Sequence, residues 1–485
     1  MKRITACFVA FILLFFVLGV VCYADDDAVD LTNFVTLESS QGDSLSKLLD
    51  ANYNTYLQLQ AGTSVSIECQ EEIAFLYIVF DRVPQEWFLT DAAGKETICG
   101  EYGFLHELVD VTERLGRAKN KLVLSFEETV SVADVYVFSE GCLPSFVQVW
   151  EEAKSECDLL LFATHSDDDQ LFFAGLLPSF TARGLVTQVV YFANHWDTHN
   201  RPHEVLNGLW HTGVKRYPVI SQFPDAYSES VAGAEYNLQS VGFDRSMVLH
   251  WQTEQLRYFR PLVVVGHDID GEYGHGQHMY NTETLIEAVS LSKDGTYQTP
   301  TNKVWDVPRL YLHLYDENVV YCNYDVPLEE FGGKTAFEVS KEAFGFHKSQ
   351  HWTWFADWID VEKAAGIRTN SPCKFGLYYS ASGNYTVGDD LFFGVKSYAE
   401  LAEEERLAQE EAARLEEEQK RKDELEKAEQ NLSNLEESLD NAEKQLEQTG
   451  IWVIILLLLF VFLIFLFVFL SQKLKALANH KSVDQ

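Results

Sequence analysis

The chain has 485 residues and carries 74 Asp and Glu against 37 Lys and Arg, a formal net charge of −37. This excess of acid argues against nucleic acid or anionic lipid head groups as partners. Hydrophobic residues make up 47% of the chain, with 33 Phe among them, which is enough apolar material for the cores of about three folded units.

The N-terminus has the pattern of a secretory signal peptide. Lys2 and Arg3 precede the apolar run 6–21, and Cys22-Tyr23-Ala24 follows it, so residues 1–24 are predicted to be removed on export. An uncleaved anchor is the alternative. Export permits disulfides among the six remaining cysteines. Sequence-near pairs are favoured and free thiols are the alternative; the pairs are Cys69–Cys99, Cys142–Cys157 and Cys322–Cys373.

Residues 29–141 contain many short β-type runs separated by turn-forming residues, such as 75–80 and 133–138. This pattern predicts an all-β sandwich or jelly roll. The segment weakly resembles the discoidin or galactose-binding modules that flank carbohydrate enzymes. Residues 50–56 and Trp87 could form a sugar platform, although an Asn/Asp turn and core aromatics are the favoured interpretation.

The segment 163–169 reads Ala-Thr-His-Ser-Asp-Asp-Asp and follows the apolar run 159–162, which predicts a buried strand. A histidine and three acids therefore lie at the carboxyl end of a strand, where open α/β sheets bind their ligands. Imidazole and carboxylate together suit zinc or a similar divalent ion. The alternative is an acidic cap on a helix beginning near Leu171.

A second strand, predicted at 187–192, leads into a loop rich in histidine. His195 and Trp196 are predicted to form a rim for sugar, with hydrogen bonds to hydroxyl groups and an indole surface for stacking. A second metal site among His195, Asp197, His199 and His203 is the alternative.

A third apolar run, 262–265, ends in a glycine-rich loop that carries His267, Glu272, His275 and His278. His275 and His278 are three positions apart, so both can face one point if a helix begins there. Two strand-end loops that both hold histidine and acid favour a shared site over coincidence.

These motifs resemble those of the PIG-L/LmbE-like N-deacetylases, which use zinc to remove acetyl from N-acetylglucosamine-type sugars. The family's His-Pro-Asp-Asp-Glu corresponds to His-Ser-Asp-Asp-Asp at 165–169, and its Gly-His-x-x-His to Gly-His-Gly-Gln-His at 274–278. An Arg-x-x-Glu motif corresponds to 201–204. The resemblance covers about 155–395 and implies a Rossmann-like α/β catalytic domain.

The resemblance implies a role for each matching residue. The Zn²⁺ ligands would be His165, Asp168 and His278. Asp167 would be the general base, and His275 would polarise the amide carbonyl or stabilise the oxyanion. Substrate contacts would come from Arg201 and Glu204, beside the predicted rim of His195 and Trp196.

Two residues depart from the family pattern. Asp169 replaces a glutamate and shortens a carboxylate that supports the metal site. Gln277 replaces an acid, so Glu272, Asp268 or Asp270 would have to supply a carboxylate for His275. Losses of this kind typically cost about 10–100-fold in metal affinity or activity.

The chemistry asks for these residue types independently of the family. Amide hydrolysis needs an activated water, a proton acceptor and a group that stabilises the oxyanion. Three protein ligands leave zinc an open position for water. Asp167 can accept the proton, and an imidazolium at His275 can face the oxyanion.

The C-terminal part predicts a membrane anchor. Residues 399–448 lack Pro and Gly and favour a long helical or coiled-coil stalk, with a short heptad seam near its end. A solvated single helix is the alternative. Residues 451–470 are all apolar and long enough to span a bilayer, and the lysines of 471–485 place that tail in the cytoplasm.

Together, these features predict a plasma-membrane, single-pass, extracytoplasmic deacetylase of N-acetylated amino-sugar glycans or glycoconjugates, which self-associates near the membrane through the stalk. One alternative is a glycan-binding protein with a catalytically silent scaffold. Another is a different zinc hydrolase, such as an O-deacetylase. The sequence specifies neither the exact substrate nor the metal, since the same ligands accept other divalent transition metals.

Overall fold

The computed structural model describes residues 27–196, 198–447 and 453–479. The chain divides into two compact units, with the boundary between Ser397 and Tyr398. The predicted signal peptide lies outside the described residues.

The first part of the chain forms two antiparallel sheets. Their strands are β1 (Thr36–Ser39), β2 (Leu57–Leu59), β3 (Ser64–Ile73), β4 (Phe75–Phe80), β5 (Trp87–Asp91), β6 (Glu96–Cys99), β7 (His106–Asp110), β8 (Lys119–Ser125) and β9 (Val130–Phe138). One sheet has the order β1-β3-β8-β5-β6 and the other β2-β9-β4-β7. A short helix, α1 (Val111–Leu115), follows β7.

Alternate residues of these strands are buried, which is how a half-covered sheet supplies a core. Trp87 is fully buried, and its Nε1 donates to Glu107 at 2.9 Å. The 50–56 segment is closed by a bond from the Thr55 hydroxyl to Asp50 at 2.7 Å. These features correspond to the turn and core-aromatic interpretation of that segment.

A mixed seven-stranded sheet follows, in the order β12-β11-β10-β13-β14-β16-β15. Its strands are β10 (Leu159–Ala163), β11 (Thr187–Ala193), β12 (Val219–Phe223), β13 (Val263–Gly266), β14 (Arg309–His313), β15 (Val319–Tyr321) and β16 (Lys374–Ser380). The strands β10 to β14 are parallel, whereas β16 runs antiparallel to both of its neighbours, β14 and β15. The predicted α/β class of this region is confirmed.

Helices connect the parallel strands: α2 (Leu176–Thr181), α3 (Arg201–His211), α4 (Val231–Ser240), α5 (Arg245–Phe259) and α6 (Gly276–Ser292). Two further helices, α7 (Ala336–Phe344) and α8 (Phe355–Ile359), lie between β15 and β16. The chain leaves β10 for β11 on one side and later returns to β13 on the other. The carboxyl ends of β10 and β13 therefore flank a point where the strand order reverses, the usual ligand crevice of such sheets.

The favoured disulfide pairing is wrong in this structure. Cys69, Cys99, Cys157, Cys322 and Cys373 are free thiols, so none of the three sequence-near pairs is joined. Cys322 and Cys373 are nonetheless neighbours, since the amide of Cys322 donates to the carbonyl of Cys373 at 2.8 Å.

The second unit contains α9 (Tyr398–Glu447) and α10 (Val453–Asn479). Leu432, Leu435 and Leu439 of the predicted seam line one apolar cavity together with Phe460 and Phe467 of α10. By length and composition, one helical segment of the described chain, Ile455–Leu477, could cross a membrane.

His106 links the β sheets to the α/β region. Its ring lies between the Tyr77 hydroxyl, at 2.9 Å, and Nδ1 of His203 on α3, at 2.8 Å. Burial lowers the pKa of His106 to about 3, so the ring is neutral in the folded protein. The unfolded chain would bind a proton near pH 6.5. Stability from the neutral ring is therefore complete above pH 6.5 and is lost as the pH falls toward 3.

We expect the free energy of unfolding to fall by about 2 kcal/mol between pH 7.5 and pH 5 through the protonation of His106 alone. His106→Gln should be less stable at pH 7.5 but should lose less on acidification, as measured by chemical unfolding at both pH values. The surface variant His250→Gln is the control and should follow the wild type. An equal acid-induced loss in His106→Gln and the wild type would contradict this assignment.

Candidate metal centre

The loop after β10 buries its own carboxylates. Residues 164–170 are all buried, although they include three acids. Oδ2 of Asp168 accepts the amides of Thr164, at 3.1 Å, and His165, at 2.5 Å. These bonds fix the carboxylate at the carboxyl end of the strand.

The alternative of an acidic helix cap is wrong. The chain continues as hydrogen-bonded turns until α2 begins at Leu176, where Gly175 is the capping residue and contributes no side-chain bond. The predicted helix start near Leu171 is therefore five residues too early. The carboxylates of the motif are left for another purpose.

His165, Asp168 and His278 converge from the two strand-end loops. Nδ1 of His165 lies 3.0 Å from Nε2 of His278, and Oδ2 of Asp168 lies 3.4 Å from each nitrogen. Three ligands bound tetrahedrally to zinc at its usual bond lengths would be about 3.3 Å apart. The donor set and the spacing both fit a zinc ion.

Glu272 holds the site together from behind. Its Oε2 accepts from Nδ1 of His267 at 2.8 Å and from Nδ1 of His278 at 2.7 Å, and its Oε1 accepts from Nδ1 of His313 at 2.6 Å. All four side chains are fully buried. Because Nδ1 of His278 is the donor here, its Nε2 is free to bind a metal, a common arrangement for metal-binding histidines.

The described residues contain two overlapping groups that could hold a metal: His165, His275 and His278, and Asp168, His267 and His278. However, Nε2 of His267 accepts the amide of Thr164 at 2.9 Å, and its Nδ1 faces Glu272. Both ring nitrogens therefore have partners. The geometry favours His165 over His267 as the third ligand.

The surroundings of His165 and Asp168 favour positive charge at this site. Although burial opposes charge, Asp225 and Asp168 raise the pKa of His165 well above its usual value. Burial likewise opposes ionisation of Asp168, but His278, His165 and His267 hold its pKa well below the usual range. A bound cation can take the place of the proton that this cluster attracts.

Asp167 lies next to Asp168, but its pKa is shifted in the opposite direction. Its pKa is raised by burial and by the neighbouring Asp168, while the Arg201 guanidinium, at 3.4 Å, acts in the opposite direction. A carboxyl with a raised pKa beside a metal site suits proton transfer near neutral pH.

His275 is neutral, which corrects the predicted imidazolium. Burial lowers its pKa to about 2, with further lowering from His165 and His278. Its Nδ1 accepts the amide of Gln277 at 3.1 Å, so the proton of the neutral ring lies on Nε2. Glu272 does not supply the carboxylate expected for His275, because it binds His267, His278 and His313 instead.

Gln277 supports His165 rather than His275. Its Oε1 lies 3.2 Å from Nε2 of His165, and its amide nitrogen donates to the carbonyl of Pro224 at 2.8 Å. Oδ1 of Asp225 lies 3.5 Å from the same Nε2. The acid that this chain lacks at position 277 is thus partly replaced by Asp225, which comes from another loop.

The other predicted site residues differ in their surroundings. Both oxygens of Glu204 accept hydrogen bonds from Ser349, at 2.9 and 2.5 Å. Its carboxylate is therefore occupied by the protein and not directed at a substrate. Trp196 is half-buried and packs against the core, contrary to an open stacking surface. His195 is buried with both ring nitrogens unpartnered within the described residues.

Asp169 is not an ionised support for the metal. Burial raises its pKa to about 8, and Nε2 of Gln170 donates to its Oδ2 at 2.5 Å. The alternative of a second metal site in the 194–201 loop receives no support, because neither group of described residues that could hold a metal includes His195, His199 or His203.

Three residues of the site were missed by the sequence interpretation: Asp225, Tyr273 and His313. Asp225 follows β12 and His313 ends β14, so both lie at the carboxyl ends of parallel strands, the signal that identified the other loops. Tyr273 has a left-handed backbone, with a φ of 47°, which is uncommon for a bulky residue. Its ring lies 5.5 Å from that of His275 and 5.7 Å from that of His278.

Curated relatives of the chain are sugar deacetylases. It is 38% identical over 116 residues to the 1D-myo-inositol 2-acetamido-2-deoxy-alpha-D-glucopyranoside deacetylase 2 of Saccharopolyspora erythraea, covering 23% of this chain and 42% of the relative. It is 23% identical over 184 residues to the deacetylase of the same description from Streptomyces scabiei, covering 33% and 57%. The chain thus spans about half the length of these relatives, or less.

Solved structures give weaker similarities. The N,N'-diacetylchitobiose deacetylase from Pyrococcus horikoshii aligns with a TM-score of 0.32 and 14% identity over 50% of this chain and 89% of its own. A deacetylase of the teicoplanin biosynthesis pathway aligns at 0.27 and 16%, over 40% and 85%. These TM-scores are too low to define the fold of this chain. No protein-family profile matches it.

Proposed function

Because the curated relatives confirm the resemblance to the PIG-L/LmbE-like deacetylases, we propose that this chain is a zinc-dependent N-deacetylase of N-acetylglucosamine-type sugars. The observation that carries the proposal is the convergence of His165, Asp168 and His278 within 3.4 Å of one another, with the carboxyl of Asp167 next in sequence. Such a site provides both a metal and a base, which amide hydrolysis requires.

His165, Asp168 and His278 would hold the metal. When bound, zinc supplies Lewis acidity to a water molecule and to the amide carbonyl. Asp167 accepts a proton from the attacking water and can return it to the departing amine, as its raised pKa allows. Arg201, 3.4 Å from Asp167, orients that carboxylate and limits the rise in its pKa.

His275 acts as a neutral donor in this proposal. Because its Nδ1 accepts a backbone amide, its Nε2–H is the group that can donate to the developing oxyanion. A neutral donor avoids placing a second cation beside the metal. His195, buried and unpartnered, is the best placed of the predicted rim residues to contact the substrate.

The further domain assignments belong to the same proposal. The two antiparallel sheets contribute buried residues such as Ile67 and Ile78 to one hydrophobic core, which supports a sandwich module at 29–141. The seven-stranded sheet supports a catalytic domain at 155–395, and the core continues into it through residues such as Leu161 and Val263. The apolar segment of α10 supports a membrane anchor with the catalytic domain outside the cell and the 471–485 tail in the cytoplasm.

The full chain in detergent micelles should release acetate from N-acetylglucosamine oligomers. Treatment with a zinc chelator should abolish release, because the open coordination position for water is lost with the metal, and added Zn²⁺ should restore it. Acetate and metal content are measured on the same samples.

Retention of full activity in metal-free protein would contradict a metal-dependent mechanism. Absence of acetate release from zinc-loaded protein would reject the N-deacetylase. In that case, release from O-acetylated sugars by the same sample would identify the other hydrolase class.

A further inference from the structure

A line of exposed aromatic side chains leads away from the candidate metal centre. The Tyr273 ring, which contacts His275 and His278, lies 5.6 Å from the ring of Trp354. Trp354 is 47% exposed and Trp352, two residues earlier, is 83% exposed. Trp352 and Trp354 were not assigned a role from the sequence.

Trp354 packs against neighbouring aromatic rings, although about half of its surface is exposed to solvent. It immediately precedes α8, and its ring lies 4.3 Å from Phe355 and 6.2 Å from Trp358. Phe355 in turn contacts Phe172 at 5.8 Å. Phe172 belongs to the segment that follows the first metal motif, so Trp354 is positioned relative to the metal ligands through Phe172 as well as through Tyr273.

Exposed aromatic side chains are costly unless something covers them, and contiguous patches of this kind mark ligand surfaces. An indole offers a flat apolar face with a polar edge, which matches the apolar face and hydroxyl rim of a sugar ring. Since the Tyr273 ring is close to both Trp354 and His275, a sugar ring stacked on Trp354 would lie next to the sugar that reacts. A membrane surface would not require that alignment.

We propose that Trp354, extended by Trp352, is a stacking platform for the sugar next to the one that is deacetylated, so that the substrate is an oligosaccharide rather than a single amino sugar. This inference rests on the proposed function and specifies its substrate class. Tyr227 is 63% exposed and its ring lies 5.1 Å from that of His275, so a further exposed aromatic side chain borders the metal centre.

The test compares kcat/KM for acetate release from N-acetylglucosamine and from its tetramer, using the zinc-loaded full chain in micelles. The wild type should prefer the tetramer. Trp354→Ala should lower kcat/KM for the tetramer about tenfold through KM, because one stacking contact is lost, and should bring the tetramer-to-monomer ratio close to one. Trp354→Phe should recover part of the preference. Tyr236→Ala, which removes an exposed aromatic of α4, should keep the wild-type ratio.

A wild type without preference for the tetramer, or an unchanged ratio in Trp354→Ala, would overturn the platform. Calorimetric binding of the tetramer to Asp167→Asn, with and without Trp354→Ala, separates this inference from the proposed function. Binding that depends on Trp354 without acetate release by the wild type would reject the deacetylase and retain the platform. Acetate release by the wild type, together with tetramer binding that does not depend on Trp354, would retain the deacetylase and reject the platform.

Discussion

Asp167→Asn is expected to lower acetate release by about 10²–10⁴-fold, the usual contribution of a general base, while leaving zinc content unchanged. The amide keeps the shape of the side chain and its contact with Arg201 but cannot accept a proton. The measurements are kcat on an N-acetylglucosamine oligomer and zinc per chain by elemental analysis.

Asp158→Asn is the matched control. Asp158 is also a buried aspartate and lies next to the opposite end of β10, where it accepts the amide of Val186 at 2.8 Å. The amide can still accept that bond, so kcat should stay close to that of the wild type. If Asp167→Asn lost zinc together with activity, Asp167 would be a ligand. If it kept full activity, another group would be the base.

The position of the metal centre could be predicted because it depends on a general property of parallel sheets. Residues that follow β10 and β13 meet at one edge of the sheet, so a shared site of histidine and acid could be predicted from the strand-end loops. The choice of His165, Asp168 and His278 as its candidate ligands came from the resemblance to the deacetylase family. His313 escaped notice because it stands alone at the end of β14, without a second histidine or acid beside it in sequence.

The surroundings of the ligands could not be predicted, because they depend on contacts between distant segments. Glu204 matches a family motif, yet its partner is Ser349, 145 positions away. The charge of His275 follows from its burial beside two other histidines, which no local pattern encodes. Gln277, which departs from the motif, supports His165 through an arrangement that also needs Asp225 from a third loop.

Glu272→Gln is expected to weaken zinc binding by about 10–100-fold, the usual cost of losing a group that orients a ligand. Three imidazole N–H groups donate to this carboxylate, whereas a glutamine offers one oxygen and one NH₂ group. At least one histidine would then face a donor with its own N–H. If that histidine is His278, its ring has to change tautomer or rotate, and its Nε2 is then no longer directed at the metal.

Removing one charged partner from a buried ionic network typically costs about 3–5 kcal/mol, so the metal-free Glu272→Gln protein should also be less stable to urea. Glu107→Gln controls for the general effect of replacing a buried glutamate, since Glu107 accepts from Trp87 and Gly100 in the β sheets. It should be destabilised yet bind zinc with wild-type affinity in a competitive chelator titration. Wild-type zinc affinity in Glu272→Gln would mean that His278 is directed by its place on α6 alone, and that the convergence of three histidines on one carboxylate serves folding rather than the metal.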